Sequence, residues 1–174
     1  MATIPSPPTF AVLQKLTAAL MNTNVRDSVN FLIAPPLCVV THSTTQTLTT
    51  STNTPIVFDT EATDTDGMHS TVSNTSRLTA VTAGYYILTG HIPFASNATG
   101  SRHAWISING AATRIAWTGV PAISGLVTSV GASGSVFLNV GDYAELMGYQ
   151  SSGAGLATDT TTGSARFTAL WVHT

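Results

Sequence analysis

Four of the eight acidic residues in this 174-residue sequence lie close together, at Asp59, Glu61, Asp64 and Asp66, and Gly67 follows them. Several carboxylate and carbonyl oxygens on one bent loop are the ligands that Ca²⁺ takes in proteins. The spacing does not match an EF-hand loop, however, and Asp-x-Asp-Gly is also an ordinary turn sequence. The turn is the favoured interpretation, and a Ca²⁺ site at Asp59, Asp64 and Asp66 is the alternative. No other metal or cofactor is expected.

Histidine and serine supply the bases and nucleophiles of many enzymes, but here neither has a catalytic spacing. The five histidines form no H-E-x-x-H or H-x-E metal motif, and no G-x-S-x-G turn is present. Paired carboxylates for glycoside hydrolysis could come only from Asp142 with Glu145 or from residues 59–66. Asp142 and Glu145 belong to a predicted strand that also serves the core. We therefore predict a non-enzymatic protein without catalytic residues.

Large aromatic side chains suggest a second chemistry, the stacking of sugar rings. Five of them lie on or beside predicted strands: Trp105, Trp117, Trp171, Tyr143 and Tyr149. Exposed together, they would form a platform for carbohydrate recognition. Core packing is the commoner fate of aromatic residues on strands, and it is the favoured interpretation.

Charge is scarce along the chain, and its distribution argues against two classes of partner. Charged residues make up 8% of the sequence, against about 25% in an average domain. The formal net charge is -2, and the six Lys and Arg residues are scattered. Because no basic run could contact phosphates, neither nucleic acid nor an anionic membrane surface is expected as a partner. Threonine, serine, asparagine and glycine replace the missing charge, and they favour strands and turns.

The cysteine count and the apolar runs bear on the compartment in which the protein is made. The single cysteine, Cys38, allows neither an internal disulfide nor a cysteine-based zinc site. No apolar run is long enough to cross a bilayer, and N-terminal prolines stand where a signal peptide would carry its apolar segment. We expect a protein made in the cytoplasm.

Residues 1–36 are predicted to form an N-terminal arm. Its prolines, up to Pro8, indicate an extended leader. From Thr9, a typical N-cap residue, to about Ala34 the pattern predicts an amphipathic helix that ends at Pro35. Residues 22–24 interrupt the pattern, so two short helices fit as well as one. The apolar positions with helical spacing are Leu13, Leu16, Leu20, Val25, Val29 and Leu32.

The apolar stripe of this helix has two interpretations. It either packs on the β domain of its own chain or docks on a neighbouring subunit. A lone amphipathic helix before a complete β domain has no obvious partner in its own chain, so docking is slightly favoured. The residues expected to anchor the arm are Leu16, Leu20, Val25, Val29 and Leu32.

Residues 37–174 are predicted to form one all-β domain, because short apolar or alternating runs are separated by turn residues. Asn109-Gly110 is the strongest hairpin signal, since a type I′ turn needs positive φ at both positions. Residues 85–88 and 167–172 are apolar on both faces of their predicted strands. A strand of this kind is usually buried on both faces. Either a partner subunit or a covering loop would bury the second face.

Taken in order, these segments resemble the TNF/complement-head jelly-roll family. The resemblance rests on a Gly-x-Tyr strand, the Asn-Gly hairpin, a Leu-x-x-Gly-Asp corner and a terminal strand opened by Phe, within residues 82–90, 106–110, 136–146 and 167–172. Residues 57–69 and the arm motifs within residues 16–32 resemble the version of this domain in virion structural proteins of phages that infect actinobacteria.

The resemblance implies an antiparallel jelly-roll β-sandwich with a short N-terminal helical arm. It also implies a homotrimer around an apolar threefold axis, and Tyr86, Leu88, Phe137 and Trp171 are expected at the trimer interface or in the core. The implied function is a structural protein of the virion, assembled in the host cytoplasm. As a capsid-decoration or minor tail protein, it would be anchored by its arm to other capsid or tail proteins. The alternative is a module at the tail tip that binds a host receptor or cell-surface glycan.

Overall fold

A computed structural model describes residues 5–6, 9–110 and 114–174 of the chain. In these ranges the arm contains helix α1 (Ala18–Met21), a π-helical segment (Asn22–Arg26) and helix α2 (Asp27–Ile33), which follow one another directly. The strands after the arm are β1 (Leu37–Thr41), β2 (Thr47–Leu48), β3 (Thr54–Pro55), β4 (Thr60–Asp64), β5 (Arg77–Thr79), β6 (Gly84–Phe94), β7 (Ser101–Ile108), β8 (Ile115–Pro121), β9 (Thr128–Leu138), β10 (Tyr143–Gln150), β11 (Leu156–Ala157) and β12 (Arg166–His173).

The strands pair into two antiparallel sheets. Sheet I has the order β4-β1-β12-β6-β9, and sheet II has the order β3-β10-β7-β8 with β5 also paired to β10. A short ribbon of β11 and β2 completes the pairing. This arrangement confirms the predicted fold class, an antiparallel jelly-roll sandwich with a short N-terminal helical arm.

The core lies between the two sheets and follows from the period-two alternation of the strands. In β6 every second residue from Gly84 to Phe94 is buried. From sheet II, Ile106 and Leu146 are fully buried in the same core. Cys38 in β1 is also fully buried, and burial raises the pKa of its thiol.

The same alternation divides the four residues that were expected at the trimer interface or in the core. Tyr86 and Leu88 are fully buried and Trp171 is 9% exposed, so these three side chains belong to the core of their own sandwich. They are not available for contact with another subunit. Phe137, at 44% exposure, is the one member of the set on the outer surface. In β6 the outward side chains are those of the other phase, at Tyr85 and Ile87.

The hairpin signal is also present in the structure. Asn109 and Gly110 have φ values of 52° and 67°, as a type I′ turn requires. They lie between β7 and β8, which pair from Ser101 opposite Pro121 to Ile106 opposite Ile115. The connection is therefore longer than a two-residue turn, and part of it lies outside the described residues.

The helix begins later than the periodicity predicts. Its N-cap is Thr17, whose hydroxyl accepts a hydrogen bond from Leu20 N–H at 3.2 Å, whereas Thr9 starts no helix. Residues 9–17 are exposed, and Leu13 has a φ of 65°. With no buried face, nothing there offsets the cost of ordering a short helix. The predicted interruption at residues 22–24 lies within the π-helical segment.

One aromatic contact holds the arm to the sandwich. Phe31 is 9% exposed and meets Trp171 edge to face, with ring centroids 4.9 Å apart. The stripe expected to anchor the arm does not pack on its own domain. Leu20 is half-buried, and Leu16, Val25, Val29 and Leu32 are exposed. No helix in the described part of the chain is long and apolar enough to cross a membrane.

Candidate functional site

Each of the three calcium candidates accepts hydrogen bonds from groups of the protein itself. The Asp59 carboxylate accepts hydrogen bonds from Ser43 N–H at 2.7 Å and from the hydroxyls of Ser43, Thr44 and Thr60 at 2.8–3.1 Å. Partial burial opposes ionisation of Asp59, but these four donors outweigh it and lower its pKa to about 2. Asp59 therefore fixes the turn after β1.

Asp64 and Asp66 are engaged elsewhere in the same loop. The Asp64 carboxylate accepts from the N–H groups of Met68 at 3.0 Å and His69 at 2.9 Å. The buried Asp66 carboxylate accepts from the Thr82 hydroxyl at 2.8 Å. The described residues contain no group of three or more His, Cys, Asp or Glu side chains that could hold a metal. The geometry thus supports the turn interpretation of this sequence.

His69, Asp142 and Glu145 are likewise engaged in separate local contacts. His69 lies 2.8 Å from Glu61 through Nδ1 and 3.1 Å from the Thr75 carbonyl through Nε2. Asp142 accepts from the Asn109 amide and from Asn139 N–H, both at 2.8 Å, and fixes the corner before β10. The Ser76 hydroxyl donates to Glu145 at 2.7 Å. Asp142 and Glu145 therefore stabilise different turns.

The aromatic residues divide between the core and the outer face of sheet II. Trp171 lies in the core, as the favoured interpretation predicts. Trp105 and Trp117 lie on the outer side of sheet II together with Tyr143 and Tyr149, and Trp117 is 48% exposed. Strand alternation turns all four away from the interior. Core packing is therefore wrong for Trp117, Tyr143 and Tyr149, whereas Trp105 is 3% exposed and stays buried beneath Arg114.

Three cross-strand pairs of β7 and β10 form the floor of a cleft on this face. In register they are Ser107 with Glu145, Trp105 with Met147, and His103 with Tyr149. Asn53 lies at one side, and Arg114 lies at the other. A cavity of about 300 Å³ covers the first two pairs, and one of about 270 Å³ is lined by His103, Tyr149, Ser101 and Arg114. Both cavities border Arg114, and we call them together the sheet II cleft.

Charge and ring contacts give the cleft its chemistry. The Arg114 guanidinium lies over the Trp105 ring, 4.4 Å from its centroid. The His103 ring contacts Trp117 and Tyr149, each at a centroid distance of 5.0 Å. Burial and the neighbouring Arg114 both lower the pKa of His103, so its ring is neutral at pH 7. The cleft thus combines one cation, one carboxylate and several aromatic rings.

The outer face of sheet I has a different character. Leu37, Leu170 and Ile87 lie side by side on three adjacent strands. Next to them Tyr85 meets Phe137 edge to face at 5.3 Å. We call these five residues the sheet I apolar face; Tyr85, Ile87 and Phe137 are 41–44% exposed. Sequence reasoning missed that Tyr85 and Ile87 point outward. The later residues of β6 carry the signal, because Ile92 and Phe94 continue the buried phase. Thr89 and His91 make the other phase polar.

Comparison with solved structures identifies the class of fold. The globular domain of zebrafish complement 1qA protein superposes with a TM-score of 0.59 at 14% identity, covering 79% of this chain and 98% of that chain. Murine APRIL at pH 5.0 gives a TM-score of 0.57 at 13% identity, covering 78% and 98%. The chain therefore has a C1q/TNF-like jelly-roll fold. No protein-family profile and no curated protein sequence matches it.

The Asp59 contacts predict a pH-dependent stability. A carboxylate whose pKa is lowered by folding stabilises the protein above the pKa of the unfolded chain, and this contribution is lost as the pH falls through the folded value. We expect Asp59→Asn to lower the free energy of unfolding at pH 7 by about 1 kcal/mol, since the site is exposed and screened. In urea denaturation the gap between wild type and variant should close between about pH 4 and pH 2. A gap that does not change with pH contradicts this role.

Proposed function

We propose that the chain is a non-enzymatic structural protein of a phage virion, assembled in the host cytoplasm as a homotrimer. It would serve as a capsid-decoration or minor tail protein. The observation that carries the proposal is an apolar patch on the outer face of sheet I in a fold whose members are typically trimeric. Its structural neighbours are binding or signalling domains. The virion role is supported by the resemblance of residues 57–69 and of the arm to phage proteins.

The sheet I apolar face has the properties of a subunit interface. Burying the remaining surface of Tyr85, Ile87 and Phe137 would contribute about 1 kcal/mol for each side chain. The patch is contiguous, and aromatic residues are enriched in interfaces. A heterologous contact of this kind closes into a ring after three copies, which leaves no free interface for further growth.

The arm supplies a second, separate binding surface. Leu16, Val25, Val29 and Leu32 are exposed, whereas within the described helical segments, residues 18–33, Phe31 is the buried side chain. Within the described residues, the helical segments carry one ion pair. It is exposed and joins Arg26 Nη2 to Asp27 Oδ1 at 2.9 Å. An arm with little charge and much exposed apolar surface suits attachment by burial in a groove of another capsid or tail protein.

A second candidate function is favoured by the sheet II cleft. This cleft lies on the opposite side of the sandwich from the sheet I apolar face, so trimer formation through sheet I would leave it accessible. A host receptor- or carbohydrate-binding module at the tail tip would use such a face. The two functions are compatible, because attachment, assembly and recognition would use three different surfaces.

The trimer proposal predicts a specific effect of Ile87→Asp. A charge in the middle of the sheet I apolar face would be buried without a partner on association, so this variant should be a folded monomer. Sedimentation velocity measures the mass, and circular dichroism checks the fold. Val72→Asp is the matched control, because Val72 is 91% exposed and is not one of the five residues of this face. A trimeric Ile87→Asp variant would contradict the interface assignment.

The virion proposal predicts that incorporation into particles depends on the arm. In phage that carries Val25→Asp and Val29→Asp together, the protein should be made and should remain trimeric, but it should be missing from purified particles. Immunoblots of particles and lysates measure both amounts. Asp27→Ala is the control, since it leaves the apolar stripe intact. Normal incorporation of the double variant, or absence of the wild-type protein from particles, contradicts the proposal.

A further inference from the structure

The sheet II cleft has the composition of a small binding site. It is concave, it holds two adjoining cavities of about 300 and 270 Å³, and polar and aromatic side chains line both. The register of β7 and β10 fixes its floor, so the site is preformed on rigid strands. The groups in it identify the ligand class.

Arg114 supplies the attractive charge of the cleft. Its guanidinium is held over Trp105 at 4.4 Å, and within the described residues it forms no ion pair with a carboxylate. A guanidinium stacked on a ring keeps its N–H edges free for a planar anion, which it can bind with two parallel hydrogen bonds. The ligand therefore carries an anionic group at the border between the two cavities. A single cation does not suit a polyanion such as nucleic acid.

Glu145 and Asn53 supply hydrogen-bonding groups for a polar, uncharged part of the ligand. Glu145 is 8% exposed, and its contacts with Ser76 at 2.7 Å and Arg77 at 3.6 Å both use Oε1. Neither contact uses Oε2, so this oxygen can accept a hydrogen bond from a hydroxyl. The Asn53 amide can both donate and accept at the same cavity. Such an arrangement fits a ligand rich in hydroxyl groups.

The second cavity is bounded by aromatic rings. His103 and Tyr149 form its floor, and Trp117 stands beside His103 with nearly half of its surface exposed. Rings of this kind pack against the C–H faces of sugars, while their polar atoms remain available for hydrogen bonds. His103 and Trp105 are two residues apart on β7, about 7 Å, so the cleft has room for more than one sugar unit.

We propose that the sheet II cleft binds an acidic saccharide. The acidic group of one sugar pairs with Arg114, its hydroxyl groups bond to Glu145 and Asn53, and a neighbouring sugar packs against Tyr149 and Trp117. This inference rests on the second candidate function above and names its ligand class. It does not depend on the trimer, because no residue of the sheet I apolar face takes part.

The test uses the full-length protein on an array of defined acidic and neutral glycans, and then tryptophan fluorescence titration of each glycan that binds. A hyaluronan tetrasaccharide and its carboxyl-reduced form, which differ only in that the carboxylates of one are primary alcohols in the other, form a matched pair in both steps. We expect binding confined to acidic glycans and weakened about tenfold or more by Arg114→Gln. Arg114→Lys should recover part of the affinity. Arg26→Gln, the same charge change on the arm, should have no effect.

Three results would overturn the inference: no binding to any glycan, equal binding of acidic and neutral glycans, or unchanged affinity of Arg114→Gln. Sedimentation of the same samples separates this inference from the trimer proposal. A trimer that binds no glycan overturns the acidic-saccharide site alone. A monomer that binds acidic glycans through Arg114 overturns the trimer proposal alone.

Discussion

The alternation of β6 is the constraint on which the rest of the structure depends. This strand pairs with β9 along eleven residues and with β12 on its other side. Its register therefore fixes the centre of sheet I. One phase of the strand puts Tyr86, Leu88, Ile92 and Phe94 into the core, where all four are fully buried. The other phase leaves Tyr85 and Ile87 outside. A slip of one residue would exchange the two sets and would turn the polar side chains of Thr89 and His91 into the core.

The two outer faces of the sandwich differ in chemistry because their strands differ in polarity. The outer face of sheet I is apolar where β1, β12, β6 and β9 meet, and it suits association with copies of itself. The outer face of sheet II carries Glu145, Arg114 and the rings of His103 and Tyr149, and it suits a polar ligand. Under the proposals above, one fold would separate assembly from recognition. Phe31 joins the arm to the core through Trp171.

The sequence was sufficient for the fold because its signals are local or periodic. The strand spacing, the Asn109-Gly110 turn and the interruption of the helix at residues 22–24 each depend on neighbouring residues. The outward face of β6 could not be predicted from residues 85–88 alone, since both phases are apolar there. The predicted start of the helix at Thr9 was wrong, because periodicity does not reveal whether a face is buried. The cleft was missed because Asn53, Arg114 and Glu145 meet only through the pairing of distant strands.

We expect the sandwich to form the trimer and the arm to remain free to attach that trimer to a partner. The direct test is light scattering of the whole chain and of a shortened chain that begins at Asp27. The shortened chain keeps Phe31 and therefore its contact with Trp171. We expect three subunits in both samples, which for the whole chain is about 54 kDa, three times its mass of 18.0 kDa. A monomer in both samples, or a trimer that is lost when the first 26 residues are removed, would contradict it.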